Sequence, residues 1–215
     1  MKLAVFLDRD GVLVADVDLL TRPEEFRILP GVPESLCRLH RSGFAVIVVS
    51  NQPVVARGLL TEASVGGLHR RLQELLTQAG APPPAGWYFC PHHPDATLPQ
   101  YRLACDCRKP SPGLLLRAAQ EHGLACAASF MVGDRITDII AGARAGCRTV
   151  LVETGKHLAP PITTREPLDL AVRPDYVCAD LTAATEWIVG GRKTQWRAER
   201  RIHPAAGGQT GGPAG

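Results

Sequence analysis

The stretch Lys2–Gly11, KLAVFLDRDG, decides the fold. Its uninterrupted apolar run from Leu3 to Leu7 is typical of a strand that is buried on both faces of a parallel sheet. The run ends abruptly in Asp8, Arg9 and Asp10. Two carboxylates at the end of a buried strand are costly to keep ionised unless a cation lies between them. The stretch therefore predicts a sheet strand with a functional site at its carboxyl end.

Strands and helices alternate along the rest of the chain. The pattern predicts further strands at 44–52, 85–90, 128–134, 148–154 and 174–180. It predicts helices at 30–43, 61–80, 111–123, 136–146 and 181–190, with Thr61 and Ser111 as N-caps and Pro112 at a first helical position. This order predicts an α/β fold, a doubly wound and mostly parallel sheet with helices on both faces. We expect one domain over 1–189 and a disordered tail, rich in Gly, Pro and basic residues, over 190–215.

Composition narrows the class of protein. The chain has 215 residues, is 45% hydrophobic and carries a formal net charge of +3, which is typical of a soluble globular protein. Many of its basic residues lie in the terminal segment GRKTQWRAERRIHP, so the body predicts no nucleic-acid partner. There is no signal-peptide pattern and no apolar run of about 20 residues, which predicts no membrane partner. Seven cysteines, an odd number, favour a reducing cytoplasm, and a monomer is the default expectation.

Polar residues follow three of the predicted strands. Besides Asp8 and Asp10, these are Ser50-Asn51-Gln52 and Asp134. Carboxyl ends of neighbouring parallel strands meet, so we expect Asp8, Asp10 and Asp134 to form a hard oxygen site for Mg²⁺. Lys109 before a helix, Ser50 and nearby backbone N–H groups would complete a phosphate cradle. A single Asp is more often a turn residue or a helix cap, but this ordered set favours an active site.

The stretch CPHHPDATLPQYRLACDCRKP, residues 90–110, predicts a second metal site. Cys90-x-His92 and Cys105-x-Cys107 supply a Cys₃His set suited to tetrahedral Zn²⁺. Cys-x-Cys is not the Cys-x-x-Cys redox motif. The Cys-x-His spacing favours His92 over the competing His93, which is then expected to be exposed or to face substrate. Four protein ligands leave no open position, so the zinc is expected to be structural. Since Cys107 directly precedes Arg108 and Lys109, the metal is expected to order the loop that carries them.

Four of these stretches together resemble a known family. FLDRDGVLV, VVSNQ, CRKP and MVGDRITD, in this order, resemble the motifs of the haloacid dehalogenase (HAD) superfamily of phosphotransferases. The resemblance implies that Asp8 is the nucleophile, that Asp10 is the general acid and base, and that Ser50 and Lys109 hold the phosphoryl group. It implies Mg²⁺ on Asp8, the Asp10 backbone carbonyl and Asp134, with Asp138 behind the ligands. Only about forty residues separate the first two motifs, so no large cap domain is expected.

The stretch 90–110, named the zinc stretch below, narrows the resemblance to the histidinol-phosphatase subfamily, which also contains heptose-bisphosphate phosphatases. The long loop between His92 and Cys105 favours the heptose enzymes, which implies hydrolysis of the 7-phosphate of D-glycero-D-manno-heptose 1,7-bisphosphate. The resemblance implies substrate contacts from Asp16, Val17, Asp18, Leu19, Ser50, Asn51, Gln52, Pro53, Arg108, Lys109 and Arg135. Val14, and Pro53 with Val54, depart from the family pattern and leave the sugar and its anomer open.

Other functions fit the same residues. Histidinol phosphate and other sugar or cyclitol phosphates are alternative substrates, and a nucleic-acid 3′-phosphatase would share the chemistry. A zinc-stabilised binding protein with an inactive site is the non-enzymatic alternative, which stoichiometric phosphorylation of Asp8 without turnover would favour. The presence of Asp8, Asp10, Lys109 and Asp134 together favours an enzyme.

Overall fold

The computed structural model describes residues 2–158, 169 and 171–191. The strands in this part of the chain are β1 (Leu3–Leu7), β2 (Phe44–Asn51), β3 (Gly86–Cys90), β4 (Phe130–Gly133), β5 (Arg148–Val152) and β6 (Tyr176–Cys178). The α-helices are α1 (Val32–Arg41), α2 (Pro53–Ala56), α3 (Glu62–Gln78), α4 (Gly113–His122), α5 (Ile136–Arg144) and α6 (Leu181–Gly191). Most of the tail predicted to be disordered, from residue 192 onward, lies outside the described residues. None of the described helices has the length and apolarity needed to cross a membrane.

The strands form one sheet in the order β3-β2-β1-β4-β5-β6, and every pairing is parallel. The chain runs from β1 outward through β2 to β3, and then returns to the other side of β1 to add β4, β5 and β6. The strand order therefore reverses beside β1, and ligands of such sheets bind at this reversal, beyond the carboxyl ends of the strands. The predicted doubly wound parallel fold is confirmed.

Each face of the sheet carries its own hydrophobic core, because side chains alternate along a strand. Val5 and Leu7 of β1 belong to the core shared with α1, α3 and α6. Ala4 and Phe6 belong to the core shared with α4 and α5. All four side chains are fully buried, which explains why β1 is apolar at every position. Helices on both faces fix β1 in the centre and leave only the strand ends open.

Of the two helix N-caps predicted from the sequence, one is confirmed and one is wrong. Thr61 caps α3, since its hydroxyl accepts a hydrogen bond from the Ser64 N–H at 3.1 Å. The predictions that Ser111 caps the next helix and that Pro112 is its first residue are both wrong: Pro112 is the N-cap and α4 begins at Gly113. The Ser111 N–H instead closes a turn onto the Arg108 carbonyl at 2.8 Å. The four-residue helix α2 escapes sequence analysis because so short a segment has no periodicity.

Candidate active site

Three adjacent strands bring the predicted polar residues to one place. Asp8 and Asp10 follow β1, Ser50 and Asn51 end β2, and Asp134 follows β4. These strands are neighbours in the sheet, so their carboxyl ends meet. The convergence expected from the sequence is therefore present in the structure.

A cluster of buried carboxylates lies at this edge. One carboxylate oxygen from each of Asp8, Asp134 and Asp138 lies within 4.8 Å of the others. Burial raises the pKa of Asp8 to about 8, and the adjacent carboxylates add to the shift although Lys109 opposes it. Burial together with Asp138 raises the pKa of Asp134 to about 6. The cluster holds more negative charge than the protein alone compensates, as a cation site requires.

Lys109 supplies the fixed positive charge beside this cluster. Its Nζ lies 3.1 Å from Asp8 Oδ1 and 2.6 Å from Asp138 Oδ1, and it donates to the Val49 carbonyl at 2.9 Å. Burial lowers the pKa of this lysine, but Asp138 and Asp8 outweigh burial, so the pKa lies above its ordinary value. Lys109 is therefore a permanent and almost fully buried cation beside the cluster.

Asn51 fixes the backbone of Lys109. Its side-chain Nδ2 donates to the Lys109 carbonyl at 3.0 Å, and its Oδ1 accepts from the Lys109 N–H at the same distance. The amide thus pairs with both backbone groups of one residue, as a residue of a neighbouring strand would. This clamp joins the end of β2 to the loop before α4 and sets where the lysine side chain begins.

Arg9 lies between the two acids of the first motif, and it is almost completely buried at 1% exposure. Its guanidinium binds the Asp10 carboxylate as a fork, Nε to Oδ1 at 3.0 Å and Nη2 to Oδ2 at 2.8 Å. Gln52 Nε2 donates to the same Oδ2 at 3.2 Å and to Ser50 Oγ at 2.8 Å. The Asp10 carboxylate is therefore held from two sides, and sequence analysis assigned no role to Arg9.

A second ion-pair network lies across the site. Arg135 Nη2 lies 3.0 Å and Lys156 Nζ 3.2 Å from Asp16 Oδ2, and Lys156 also pairs with Asp18. Burial raises the pKa of Asp16. The hydrogen bond from the Asp18 N–H and the charge of Lys156 help to outweigh burial, so the pKa lies below its ordinary value. The network ties the segment after β1 to the loops after β4 and β5.

Two glycines allow the chain to approach Asp134 closely. A Cβ on Gly155 would lie 2.2 Å from Asp134 Oδ2, and a Cβ on Gly11, whose φ is +77°, would lie 2.5 Å from the same oxygen. The Lys156 N–H donates to this oxygen at 2.7 Å. The other oxygen, Oδ1, is buried with no hydrogen-bond partner among the described residues. Asp134 therefore presents one free oxygen to the cluster.

The site opens into a cavity of about 280 Å³. Most of the predicted contacts line it, namely Asp8, Asp10, Asp16, Asp18, Leu19, Ser50, Asn51, Pro53, Arg108, Lys109 and Arg135. The structure does not bring three predicted site residues to the lining: Val17 points to solvent at 44% exposure, Gln52 lies beneath Asp10, and Asp134 is fully buried. The lining also contains Arg57, Thr137 and Lys156, for which the sequence predicted no role. It further contains Asp138, which was expected behind the metal ligands, and His93, which was expected to be exposed or to face substrate.

For some of these residues the sequence carried a signal. Thr137 and Asp138 belong to the motif MVGDRITD, at the first turn of α5. Lys156 follows β5, whose carboxyl end lies beside that of β4. Arg57 had none, because only the packing of α2 against the zinc stretch brings it to the cavity. His93 lines the cavity, which agrees with the expectation that it is exposed or faces substrate.

The cysteine and histidine stretch forms a second cluster. Cys90, His92, Cys105 and Cys107 bring one ligand atom each within 4.8 Å of one another. The Cys90 sulfur lies 3.1 Å from Cys107 Sγ and 3.7 Å from Cys105 Sγ, and His92 Nδ1 lies 3.4 Å from Cys107 Sγ. A zinc ion with Zn–S bonds of about 2.3 Å in a tetrahedron holds sulfurs about 3.8 Å apart. The donor set and its spacing therefore fit zinc, with His92 rather than His93 among the four.

Comparison with known proteins agrees with this geometry. Residues 106–184 match the Hydrolase_like family model, described as HAD-hydrolase-like. D-glycero-beta-D-manno-heptose-1,7-bisphosphate 7-phosphatase from Photorhabdus laumondii is 43% identical over 154 residues, 71% of this chain and 81% of the relative. A D-glycero-D-manno-heptose-1,7-bisphosphate 7-phosphatase from Thermosynechococcus vestitus is 39% identical over 86% of this chain and 94% of its own.

A solved structure is similar over almost its whole length. The D,D-heptose 1,7-bisphosphate phosphatase from B. bronchiseptica, crystallised with magnesium and phosphate, is 35% identical. It matches with a TM-score of 0.71 over 88% of this chain and 99% of its own.

The sheet order and the acids at its reversal point define a phosphatase of the HAD-like class of hydrolases. Within that class, the chain belongs to the D-glycero-D-manno-heptose-1,7-bisphosphate 7-phosphatase family, since it shares about 40% identity with members over more than four fifths of their length.

Proposed function

We propose that this protein removes the 7-phosphate from D-glycero-D-manno-heptose 1,7-bisphosphate, through an aspartyl-phosphate formed on Asp8. The observation that carries the proposal is the Asp8 carboxylate, which lies 3.1 Å from the buried Lys109 ammonium at the base of a cation-rich cavity. The relatives at about 40% identity carry this activity in their names, and the cavity suits a small phosphorylated sugar.

The carboxylate cluster fits a magnesium ion. Asp134 Oδ1 is buried without a hydrogen-bond partner, and hard carboxylate oxygens are the ligands that Mg²⁺ prefers. The ion would be held by the groups that the family resemblance implies, namely the Asp8 and Asp134 carboxylates and the Asp10 backbone carbonyl. The Asp138 carboxylate is instead paired with Lys109. Bound there, Mg²⁺ would neutralise the repulsion between the Asp8 carboxylate and the incoming phosphate.

The residues of the chain divide the reaction into two steps. In the first, an Asp8 carboxylate oxygen attacks phosphorus, and the bond from phosphorus to the sugar oxygen breaks as Asp10 gives that oxygen a proton. In the second, Asp10 takes a proton from water, and the water oxygen displaces Asp8 from phosphorus. Asp8 is thereby regenerated and inorganic phosphate is released.

Ser50 and Lys109 would hold the phosphoryl oxygens during both steps. Ser50 Oγ accepts a hydrogen bond from Gln52 Nε2 at 2.8 Å, which leaves the Ser50 hydroxyl proton available to donate. Lys109 keeps its charge because of the adjacent carboxylates. Preorganised donors aimed at developing negative charge contribute strongly to such reactions.

The four-residue cluster of Cys90, His92, Cys105 and Cys107 would hold a structural zinc. Four protein ligands fill a tetrahedral ion and leave no position for substrate. The ion would fix the segment that leads directly into Arg108 and Lys109, so it supports the active site without taking part in the chemistry.

We also propose one catalytic domain over 1–189 that acts in the cytoplasm as a monomer, on a small substrate and without a nucleic-acid or membrane partner. The single sheet with cores on both faces supports one domain, and the weak net charge of +3 supports a small-molecule substrate. Light scattering of the purified chain tests the monomer: a mass near 23.1 kDa is expected, and a mass of twice that value contradicts it.

The activity is tested by phosphate release in the presence of Mg²⁺, with Asp8→Asn as the inactive control. The substrates are both anomers of heptose 1,7-bisphosphate, heptose 7-phosphate, histidinol phosphate and a 3′-phosphorylated oligonucleotide. We expect the highest kcat/KM for one anomer of the bisphosphate. Preference for histidinol phosphate, or no turnover that depends on Asp8, would reject the proposed substrate.

A further inference from the structure

The cationic side chains that line the cavity differ in whether a carboxylate neutralises their charge. Lys109 is paired with Asp8 and Asp138, while Arg135 and Lys156 share Asp16. Arg57 and Arg108 also line the cavity, but no carboxylate of the described residues forms an ion pair with either. Positive charge without a protein partner is therefore concentrated on these two arginines.

Arg108 has an unused donor in addition to its charge. One of its terminal nitrogens, Nη1, donates to the His92 carbonyl at 3.0 Å. Its Nε is buried and has no hydrogen-bond partner among the described residues. A buried donor without a partner is destabilising, and an anion that accepts a hydrogen bond from it would remove that cost.

His93 presents a third donor on the same wall. The Asp95 N–H donates to His93 Nδ1 at 3.0 Å, so Nδ1 is an acceptor and the proton of the neutral ring lies on Nε2. His93 is half-buried and lines the same cavity as Arg57 and Arg108. Its Nε2–H is therefore a donor that the described contacts leave unused.

The packing of the zinc stretch against α2 brings these groups together. The Leu98 N–H donates to the Ala56 carbonyl at 3.0 Å, directly before Arg57. The His93 N–H donates to the Tyr101 carbonyl at 3.2 Å, which folds the stretch back on itself. The end of α2, the start of the zinc stretch and the residue after Cys107 thus form one wall of the cavity.

We propose that Arg57 and His93, together with Arg108, form the binding site for the distal phosphate of the bisphosphate substrate. The inference rests on the proposed function, which places the reacting phosphate at Asp8. Guanidinium groups bind phosphate through charge-assisted hydrogen bonds, and a neutral imidazole N–H adds a third donor. Arg135 and Lys156 face the same cavity, but their charge is already matched by Asp16 and, for Lys156, also by Asp18.

The test compares kcat/KM for heptose 1,7-bisphosphate and heptose 7-phosphate, which lacks the distal phosphate. A hydrogen bond to a charged group contributes about 1.5–3 kcal/mol, and solvent exposure of Arg57 places its effect at the lower end. We expect Arg57→Gln to lower kcat/KM for the bisphosphate about tenfold and to change the value for the monophosphate less than about twofold. Arg71→Gln is the matched control, since Arg71 is exposed on α3 and pairs with Glu74.

His93 is tested by two variants whose zinc content is measured alongside. His93→Ala removes the donor and is expected to lower kcat/KM for the bisphosphate about fivefold, within the range of a single hydrogen bond. His93→Gln keeps an N–H donor near the position of Nε2 and is expected to retain most of the value. Zinc content equal to that of the unmodified protein shows that the neighbouring His92 is undisturbed.

The outcomes separate this site from the proposed function. A loss confined to the bisphosphate supports the site. An equal loss on both substrates, or unchanged preference in Arg57→Gln and His93→Ala, overturns it while the proposed function stands. If the unmodified protein shows no Asp8-dependent release from either heptose phosphate, the proposed function fails and the distal-phosphate site fails with it.

Discussion

Replacement of Arg9 by methionine tests whether this arginine positions Asp10 for proton transfer. Arg9 binds both Asp10 carboxylate oxygens, at 3.0 and 2.8 Å, and lies 5.9 Å from the Phe26 ring centroid. It does not line the cavity, so it does not contact the substrate. Methionine keeps an apolar chain of similar length against Phe26. It removes the fork, together with the charge beside the Phe26 ring and the 3.5 Å contact of Arg9 Nη1 with His69 Nε2.

The size of the effect follows from the bonds that are lost. A hydrogen bond to a charged group is worth about 1.5–3 kcal/mol, so loss of the orientation that one such bond provides lowers kcat about 10- to 150-fold. KM should change less than about threefold, because the contacts to substrate remain. Loss of a fully buried ion pair costs about 3–5 kcal/mol of stability. The Asp10 side chain is 23% exposed and regains water, so we expect the smaller cost of about 1–2 kcal/mol.

Steady-state kinetics with the heptose bisphosphate, together with urea unfolding, measures both effects. Arg9→Lys keeps the charge without the fork and is expected to give an intermediate kcat. In an Asp10→Asn background, Arg9→Met should have little further effect, because the two residues act as one unit. A tenfold rise in KM at unchanged kcat, or full additivity of the two substitutions, would refute the positioning role.

Three further predictions concern stability and the metal sites. Burial, with the charge of Arg9, lowers the pKa of His69 from 6.5 to about 3. Below pH 6.5 the unfolded chain therefore takes up a proton that the folded chain does not, and roughly 1 kcal/mol of stability is lost per pH unit. Urea unfolding at pH 7 and pH 5 should show a smaller pH effect in His69→Gln, and an equal effect would contradict the assignment. Cys105→Ser should lose zinc by elemental analysis and several kcal/mol of stability, unlike Cys37→Ser, whose thiol lies outside the cluster; unchanged zinc content would argue against the site. Gly155→Ala places a Cβ 2.2 Å from Asp134 Oδ2 and should raise the Mg²⁺ concentration for half-maximal activity about tenfold, as expected for a displaced ligand. Gly190→Ala, where a Cβ would meet no atom within 4 Å, is its control, and the same Mg²⁺ requirement in both variants would exclude this role for Asp134.

The fold was predictable because its signals are local and repeated. Leu3–Leu7 is apolar at every position since β1 has a helical layer on each face. Gly and Pro residues mark the ends of the strands and helices, so the order of these elements follows from the sequence. The failures lie where local signals compete: Ser111 has the residue type of an N-cap, but the turn onto Arg108 uses that residue instead.

The arrangement within the site was only partly predictable. The acids Asp8, Asp10 and Asp134 stand out because charge at the end of a buried strand is costly without a function. The direction of the Asp10 carboxylate does not follow from that reasoning, since it depends on the buried guanidinium of Arg9. The fixed position of Lys109 depends on Asn51, which is 58 residues away in the chain.

The sequence by itself determined the α/β class, the acids of the candidate active site and the four candidate zinc ligands. Each of these is encoded by spacing and by residue type over short stretches. Only the tertiary structure decided which cations are neutralised by carboxylates and which, as Arg57 and Arg108, remain available for an anion. The physical reason is that charge compensation acts through space over a few ångströms, and residues that meet at the ends of parallel strands are far apart in the chain.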